Sequence, residues 1–148
     1  MRLANVFRTL SAAFVAALAV TFFSAAPSAL AEETVLYEGG WTNVKQRTSG
    51  NWQVVERDGQ TYIEFDDAFK TRRAPDLKVF LSTEDAATRA NRNALDNAVF
   101  IGELQSAKGA QSYLVPDGVD VSQFSTLLIH CQQYTKFWAA SELTQAGS

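Results

Sequence analysis

Short runs of alternating apolar and polar residues, separated by turn residues, dominate the chain after residue 34. The clearest pair of runs, residues 51–56 and 61–65, flanks Asp58-Gly59, a dipeptide typical of two-residue type I′ hairpins. Within this hairpin we expect Ile63 and Phe65 to share one face with Trp52 and Val54. Strands this short, at this spacing, favour a β-sandwich or a small barrel. The sequence therefore predicts a single all-β domain of short antiparallel strands.

Further strands are predicted along the rest of the chain from the same alternation. Their limits are 34–38, ended by Gly39-Gly40, then 77–81, 99–105, 110–115, 126–134 and a last strand that begins at 137. Ala107-Lys108-Gly109 lies between two of these runs, which predicts a second hairpin there. Residues 82–98 are polar and alanine-rich, a composition that leaves open a short helix or a long loop.

Residues 1–31 have the features of a cleaved signal peptide. Arg2 and Arg8 precede an apolar run, 10–23, and Ala29-Leu30-Ala31 places small residues at the two positions that a signal peptidase reads. The run is shorter than the roughly 20 apolar residues of a membrane span. We therefore expect a mature domain of residues 32–148 that is periplasmic or secreted and is not inserted in the membrane after cleavage.

The charge of the predicted mature chain argues against two classes of partner. Without Arg2 and Arg8 the chain has 11 basic and 16 acidic residues, a net charge of −5. Nucleic acids and anionic membrane surfaces require clustered cations, so neither is expected as a partner. The nearest approach to a cluster, Lys70, Arg72 and Arg73, is interpreted as a solvated loop.

Cys131 is the only cysteine in the chain, so the fold depends on its hydrophobic core and not on an internal disulfide. Strand alternation places Leu127, Ile129 and Cys131 on one face, and His130 on the other. Cys131 is the last core-facing position before the strand becomes polar, so its thiol is expected to be half covered. A packed, inert thiol and a redox-active thiol both remain open.

The side chains that could bind a metal or a haem are too few for most cofactors. His130 is the only histidine, and the only methionine, Met1, belongs to the predicted signal. A blue-copper centre needs two histidines and usually a methionine, covalent haem attachment needs C-x-x-C-H, and zinc would need carboxylates in two positions. No cofactor is therefore expected to be held by this chain alone.

Other candidate sites are weaker. Asp66, Asp67 and Asp76 flank one turn but lack a calcium-binding spacing. A hydrolase would need a G-x-S-x-G elbow, which is absent. The three tryptophans are more typical of a core than of a sugar platform. A stand-alone enzyme is therefore not expected.

Five sequence blocks resemble the electron-transfer DM13 domain family, which occurs in Skeletor-type animal proteins and in bacterial exported proteins. The blocks are Phe69 with 74–82 (APDLKVFLS), 101–104 (IGEL), 108–116 (KGAQSYLVP), 128–134 (LIHCQQY) and 137–143 (FWAASEL). The resemblance implies a β-sandwich whose cysteine, here Cys131, acts in redox chemistry as a bare thiol or by binding metal. Two positions depart from the family pattern: Ala74 replaces a glycine, and His130 replaces an aromatic residue.

Three hypotheses follow. In the first, Cys131 exchanges electrons or a disulfide with an unknown protein redox partner, and His130 or Lys136 modulates the thiol if a bulge brings either side chain close. In the second, the domain is a non-enzymatic binding or adaptor β-sandwich in which Cys131 only packs. In the third, two chains share a metal through their Cys131 thiolates.

Overall fold

The computed structural model describes residues 32–148, so the predicted signal peptide, residues 1–31, lies outside the described residues. Two five-stranded antiparallel sheets and one two-stranded ribbon make up the architecture. Sheet 1 contains β1 (Glu33–Gly40), β4 (Asn51–Arg57), β5 (Gln60–Phe65), β9 (Gln111–Leu114) and β12 (Thr144–Gln145). Sheet 2 contains β2 (Asn43–Val44), β7 (Leu77–Ser82), β8 (Ala98–Glu103), β10 (Thr126–Cys131) and β11 (Lys136–Glu142). The ribbon pairs β3 (Thr48–Ser49) with β6 (Lys70–Thr71).

The spatial order of the strands is β12-β1-β4-β5-β9 in sheet 1 and β2-β11-β10-β7-β8 in sheet 2. The main hydrophobic core lies between the sheets and draws on both, with Val54 and Ile63 from sheet 1 and Val79 and Ile129 from sheet 2. This arrangement confirms the predicted all-β sandwich. β10 is a central strand and all six of its residues are buried, so both faces of sheet 2 are covered.

The hairpin predicted at Asp58-Gly59 is confirmed. Asp58 has a φ of 55° and Gly59 a φ of 73°, the two positive angles that a type I′ turn requires. Across the hairpin Trp52 lies opposite Phe65, and Val54 lies opposite Ile63. The alternation of these residues therefore predicts both the register and the core-facing side.

The second predicted hairpin is wrong. β8 pairs with β7, whereas β9 pairs with β5, so the two strands lie at the edges of different sheets. The turn around Lys108-Gly109 thus carries the chain from one sheet to the other. A glycine-containing turn indicates a change of direction, but it does not indicate which strands will pair.

Gly39-Gly40 also differs from the prediction, because β1 continues through both glycines. Gly39 lies opposite Trp52, and a Cβ at Gly39 would lie 2.6 Å from Cζ2 of the Trp52 ring. The glycine therefore leaves room for an indole that packs on the backbone, and it does not end the strand. The last strand is also not β11, since β12 follows and pairs with β1.

The segment 83–97 covers the outer face of sheet 2, the face that points away from sheet 1. It contains one turn of 3₁₀ helix, Ala86–Thr88, capped by the Asp85 carboxylate, which accepts a hydrogen bond from the Ala87 amide at 2.7 Å. Ala86 and Ala94 pack here against Leu128 of β10 in a second, smaller apolar cluster. Of the two predicted possibilities, the long loop is therefore nearer to the structure.

Candidate functional site

Cys131 is the last residue of β10, and its side chain belongs to the core between the two sheets. It shares that core with Leu127 and Ile129, as strand alternation predicts. The predicted half coverage is wrong, because Cys131 is 0% exposed. Sequence alternation describes only the residue's own strand, whereas the covering atoms come from residues far away in the chain.

The residues that follow Cys131 in the chain are exposed. The strand predicted to extend to Tyr134 ends at Cys131 and is followed by a turn at Gln132–Thr135. All four turn residues are exposed, and Thr135 has a φ of 50°. Cys131 is therefore followed directly in the chain by a solvent-exposed turn with one residue in the left-handed region.

His130 lies on the opposite face of sheet 2 from Cys131. Its ring packs edge-on against Phe80, with 6.3 Å between the ring centroids, and the residue is 1% exposed. The Nδ1 atom is buried without a hydrogen-bond partner. Burial lowers the pKa of His130 below its usual 6.5, and the negative charge of Asp76 only partly opposes this shift. The imidazole is therefore held in its neutral form, away from the thiol.

Lys136 and Trp138 belong to β11, the strand that pairs with β10 on the side of the bulge. Lys136 is the cross-strand partner of Cys131, but the lysine side chain is exposed. The register shifts between Ile129 and His130, where Ile129 pairs with Ala139 and His130 with Phe137, so Trp138 is the extra residue of a β-bulge. The bulge is present, but it leaves His130 and Cys131 on opposite faces.

Trp138 is a site residue that sequence reasoning assigned only to the core. It is 5% exposed and belongs to the same core cluster as Cys131. Its indole Nε1 donates a hydrogen bond to Oγ1 of Thr71 at 3.0 Å, and Thr71 in turn shares a 2.8 Å hydrogen bond with the Thr48 hydroxyl. A single side chain thus joins the core around Cys131 to the β3–β6 ribbon. Nothing in the local sequence indicates this connection.

Two surface grooves of opposite charge are present in the described residues, and the ribbon strands β3 and β6 line the basic one. The acidic groove, of about 810 Å³, is lined by Glu38, Glu64, Asp66 and Asp67 and contains no lysine or arginine. The basic groove, of about 850 Å³, is defined by four cations and contains no carboxylate. These cations are Lys45, Arg47, Lys70 and Arg72.

The profile of one protein family, described as electron transfer DM13, matches residues 41–143. The match covers all of sheet 2, the strands β4, β5 and β9 of sheet 1, and Cys131, and it extends over well more than half of the chain. The chain belongs to the DM13 family. The resemblance seen in the five sequence blocks is therefore confirmed, and with it a redox-associated function. The chain has no match among curated proteins or among solved structures.

The donor atoms available to this DM13 domain do not fit a metal centre at Cys131. The residues packed around the thiol are apolar, and His130 points to the other face. Among residues 32–148, no three His, Cys, Asp or Glu side chains lie close enough together to hold a metal ion. With the sulfur 0% exposed, the thiolates of two copies could meet only after both domains open. No step of the proposed chemistry is therefore routed through a metal.

Two of the three carboxylates that flank the turn, Asp66 and Asp76, are engaged with other side chains of the DM13 domain. Asp76 forms an ion pair with Lys78 at 3.3 Å, and Asp66 accepts a hydrogen bond from the Asn51 amide at 2.9 Å. A separate observation concerns membranes: within the described residues, no helix has the length and apolarity needed to cross a bilayer.

Proposed function

We propose that this DM13 domain is an electron-transfer component that works outside the cytoplasm, and that Cys131 is the group that changes oxidation state. Its sulfur is the only one in residues 32–148. The family description supports the redox assignment. The single observation that carries the choice of residue is the position of Cys131, buried at the end of a central strand and next to an exposed turn.

Burial restricts how such a thiol can react. Attack on a partner's disulfide requires contact between sulfur atoms, and a sulfur that is 0% exposed makes that contact only after the structure opens. The turn Gln132–Thr135 provides a short route, because strand ends next to exposed turns open locally at a lower free-energy cost than the whole fold. In the open state the Cys131 thiolate would attack the partner's disulfide, form a mixed disulfide and release the partner's second thiol.

The competing hypothesis is a binding or adaptor sandwich in which Cys131 only packs. The same burial is what a packing role requires, so exposure alone does not separate the two hypotheses. They differ in the size of the opening that uncovers the sulfur. A redox thiol needs a local opening, whereas a packed thiol is released only by global unfolding.

Thiol labelling as a function of denaturant concentration measures that opening. With local opening, the labelling rate of Cys131 at low urea should be nearly independent of urea, because little surface is exposed. A matched control is Val79→Cys in a Cys131→Ala background, since Val79 is 0% exposed in the middle of the same core. The control thiol should react more slowly, with a rate that follows global stability. If Cys131 behaves like the control, the redox assignment is wrong.

The localisation is supported by the sequence features of residues 1–31, and it has its own test. The intact mass of the protein purified from its native compartment should correspond to a chain that begins at Glu32, with no lipid attached. The same mass would show whether Cys131 is a free thiol or carries an adduct. A chain that retains residues 1–31 would contradict the proposed export.

A further inference from the structure

We infer that the basic groove is a docking surface for an extended acidic segment of the domain's protein partner. The inference rests on the proposed function in one respect: the partner is taken to be the protein that exchanges electrons with the domain. The location of the groove and the chemistry of its occupant are argued from the groove itself.

The first argument is the separation of charge. Residues 32–148 carry an excess of carboxylates, yet the basic groove contains four cations and no acid. In the part of the chain that the structure describes, the ion pairs involve Arg57, Lys78 and Arg89, and none involves a cation of the groove. Unneutralised like charges repel one another and lower stability. An anionic partner would relieve this repulsion.

The second argument is the pairing of Lys70 with Lys108, which form an isolated antiparallel bridge. Like charges directly opposite one another destabilise a β-ladder. Lys108 therefore places a further cation opposite Lys70, one of the cations of the groove. Such an arrangement is typical of a surface whose charges are neutralised on binding.

The third argument is rigidity. Gly50 follows the β3 wall with a φ of 98°, and a Cβ there would lie 2.5 Å from the Phe69 Cα atom, so the two backbones are in tight contact. On its other side the ribbon is held by the Thr71 amide, which donates to the Ala107 carbonyl at 2.8 Å. The walls are therefore fixed before any ligand arrives, which lowers the entropic cost of binding.

The shape of the groove favours an extended polypeptide. β2 is an edge strand of sheet 2, and β3 pairs only with β6 in the strand order. Edge strands bind extended segments through backbone hydrogen bonds. Val44, 37% exposed, supplies an apolar contact beside the cations. An extended chain rich in Asp and Glu would match these edge strands and these charges together.

Trp138 links this surface to the proposed redox residue. The Trp138 carbonyl accepts hydrogen bonds from the amides of Lys45 and Gln46, at 3.0 and 3.1 Å, and its indole donates to Thr71 on the opposite wall. One residue thus holds both walls of the groove and packs in the same core cluster as Cys131. A partner bound in the groove would be positioned beside the β10–β11 pair.

The test measures binding to the reduced full domain, with no redox reaction involved. An oligoglutamate peptide is titrated at low salt and then at increasing salt, with an oligoglutamine peptide as the neutral probe. The groove variant is Arg47→Gln with Arg72→Gln. Its charge-matched control is Arg57→Gln with Arg92→Gln, two exposed or half-exposed arginines outside the groove.

Oligoglutamate should bind the wild type in a salt-sensitive manner, and the groove variant should bind at least about tenfold more weakly, as expected when two close charge pairs are lost. The control variant should resemble the wild type. Equal binding by the two variants would overturn the inference. Tighter binding of an oligonucleotide or a sulfated polysaccharide would also overturn it, since the occupant would then be another polyanion.

Self-association is the remaining alternative, because the acidic groove of a second copy could occupy the basic groove. Sedimentation of the wild type should show a monomer at the concentrations used. A dimer that the groove variant dissociates would assign the groove to a second copy and overturn the inference. Labelling of Cys131 does not use the groove, so both variants should label at the wild-type rate. Peptide binding therefore reports on the docking surface, and Cys131 labelling reports on the redox assignment, so the failure of one can be distinguished from the failure of the other.

Discussion

The centre of sheet 2 is buried on both faces, but the two faces are covered in different ways. The inner face, with Leu127, Ile129 and Cys131, packs against the regular strands of sheet 1. On the outer face, Leu128 lies under the irregular segment 83–97, and the His130 ring packs against Phe80 of β7. A regular sheet satisfies its own backbone polar groups, whereas an irregular cover leaves carbonyls that need other partners. The inner face is therefore mostly apolar, and its Trp138 indole N–H and Ser141 hydroxyl are each hydrogen-bonded, whereas the cover of the outer face depends on polar side chains.

The largest difference is expected from Leu127→Ala and Leu128→Ala. These neighbouring leucines are both 0% exposed and point to opposite faces. Leu127→Ala should cost about 3–5 kcal/mol of unfolding free energy, because two paired sheets cannot close the cavity, and Leu128→Ala about 2–3 kcal/mol, because a loop can settle into it. Urea denaturation measures both. Equal losses would mean that the irregular cover is as rigid as a sheet.

Arg89 tests what holds the outer cover in place. It is 3% exposed, donates to the Asn93 and Asp85 carbonyls at 2.5 and 3.3 Å, and lies 3.5 Å from the Glu84 carboxylate. Arg89→Met should cost about 2–3 kcal/mol, because it removes the buried donor of two partly buried carbonyls and the partner of the Glu84 carboxylate. Amide exchange should become faster in segment 83–97 before it changes in sheet 1.

The exposed Arg92 in the same segment is the control for Arg89. Arg92→Met should leave the unfolding free energy within about 0.5 kcal/mol of the wild type, as is usual for surface positions. Arg89→Lys should lie between the two, since it keeps the charge but loses the planar fork. If Arg89→Met also falls within that range, the cover is held by its apolar contacts alone.

Cys131 tests the apolar character of the inner face. Cys131→Ser should cost about 1–3 kcal/mol, because it buries a hydroxyl without a hydrogen-bond partner. Cys131→Ala removes the sulfur but introduces no polar group, so it should be the less harmful of the two. Thermal unfolding of both variants gives the comparison. A harmless serine would show that water or a polar group reaches the site.

Local sequence chemistry predicts much of this fold. Asp58-Gly59 predicts a hairpin and its register, because the turn geometry and the alternation depend on neighbouring residues. The same reasoning places Cys131 and His130 on opposite faces. It fails to predict the pairing of β8 and β9, because the choice of partner strand is set by distant residues. It also fails to predict that β1 continues through Gly39, because the role of this glycine depends on the Trp52 ring.

The candidate site shows the same limit. Alternation assigns Cys131 to the core, but the extent of its burial depends on sheet 1. In the sequence, Lys70, Arg72 and Arg73 form a short cluster that is typical of a solvated loop. Folding brings two of them, Lys70 and Arg72, together with Lys45 and Arg47 in the basic groove. The hydrogen bonds of Trp138 likewise connect positions that have no common sequence signal. Charge clusters assembled from separate segments require the tertiary structure.

The smallest expected effect concerns His130 on the outer face and appears in the pH dependence of stability. Burial lowers the folded-state pKa of His130 below its usual 6.5, so above that pH both states are neutral and the residue adds no slope. As the pH falls below 6.5, the unfolded chain takes up a proton that the native state resists, and the unfolding free energy decreases.

His130→Phe should remove this decrease at little cost near neutral pH, because the buried Nδ1 has no partner to lose. Urea denaturation of the wild type and the variant across mildly acidic pH gives the two slopes. Parallel slopes would mean that the outer cover admits the proton to the native state, and hence that this face is less tightly sealed than the inner one.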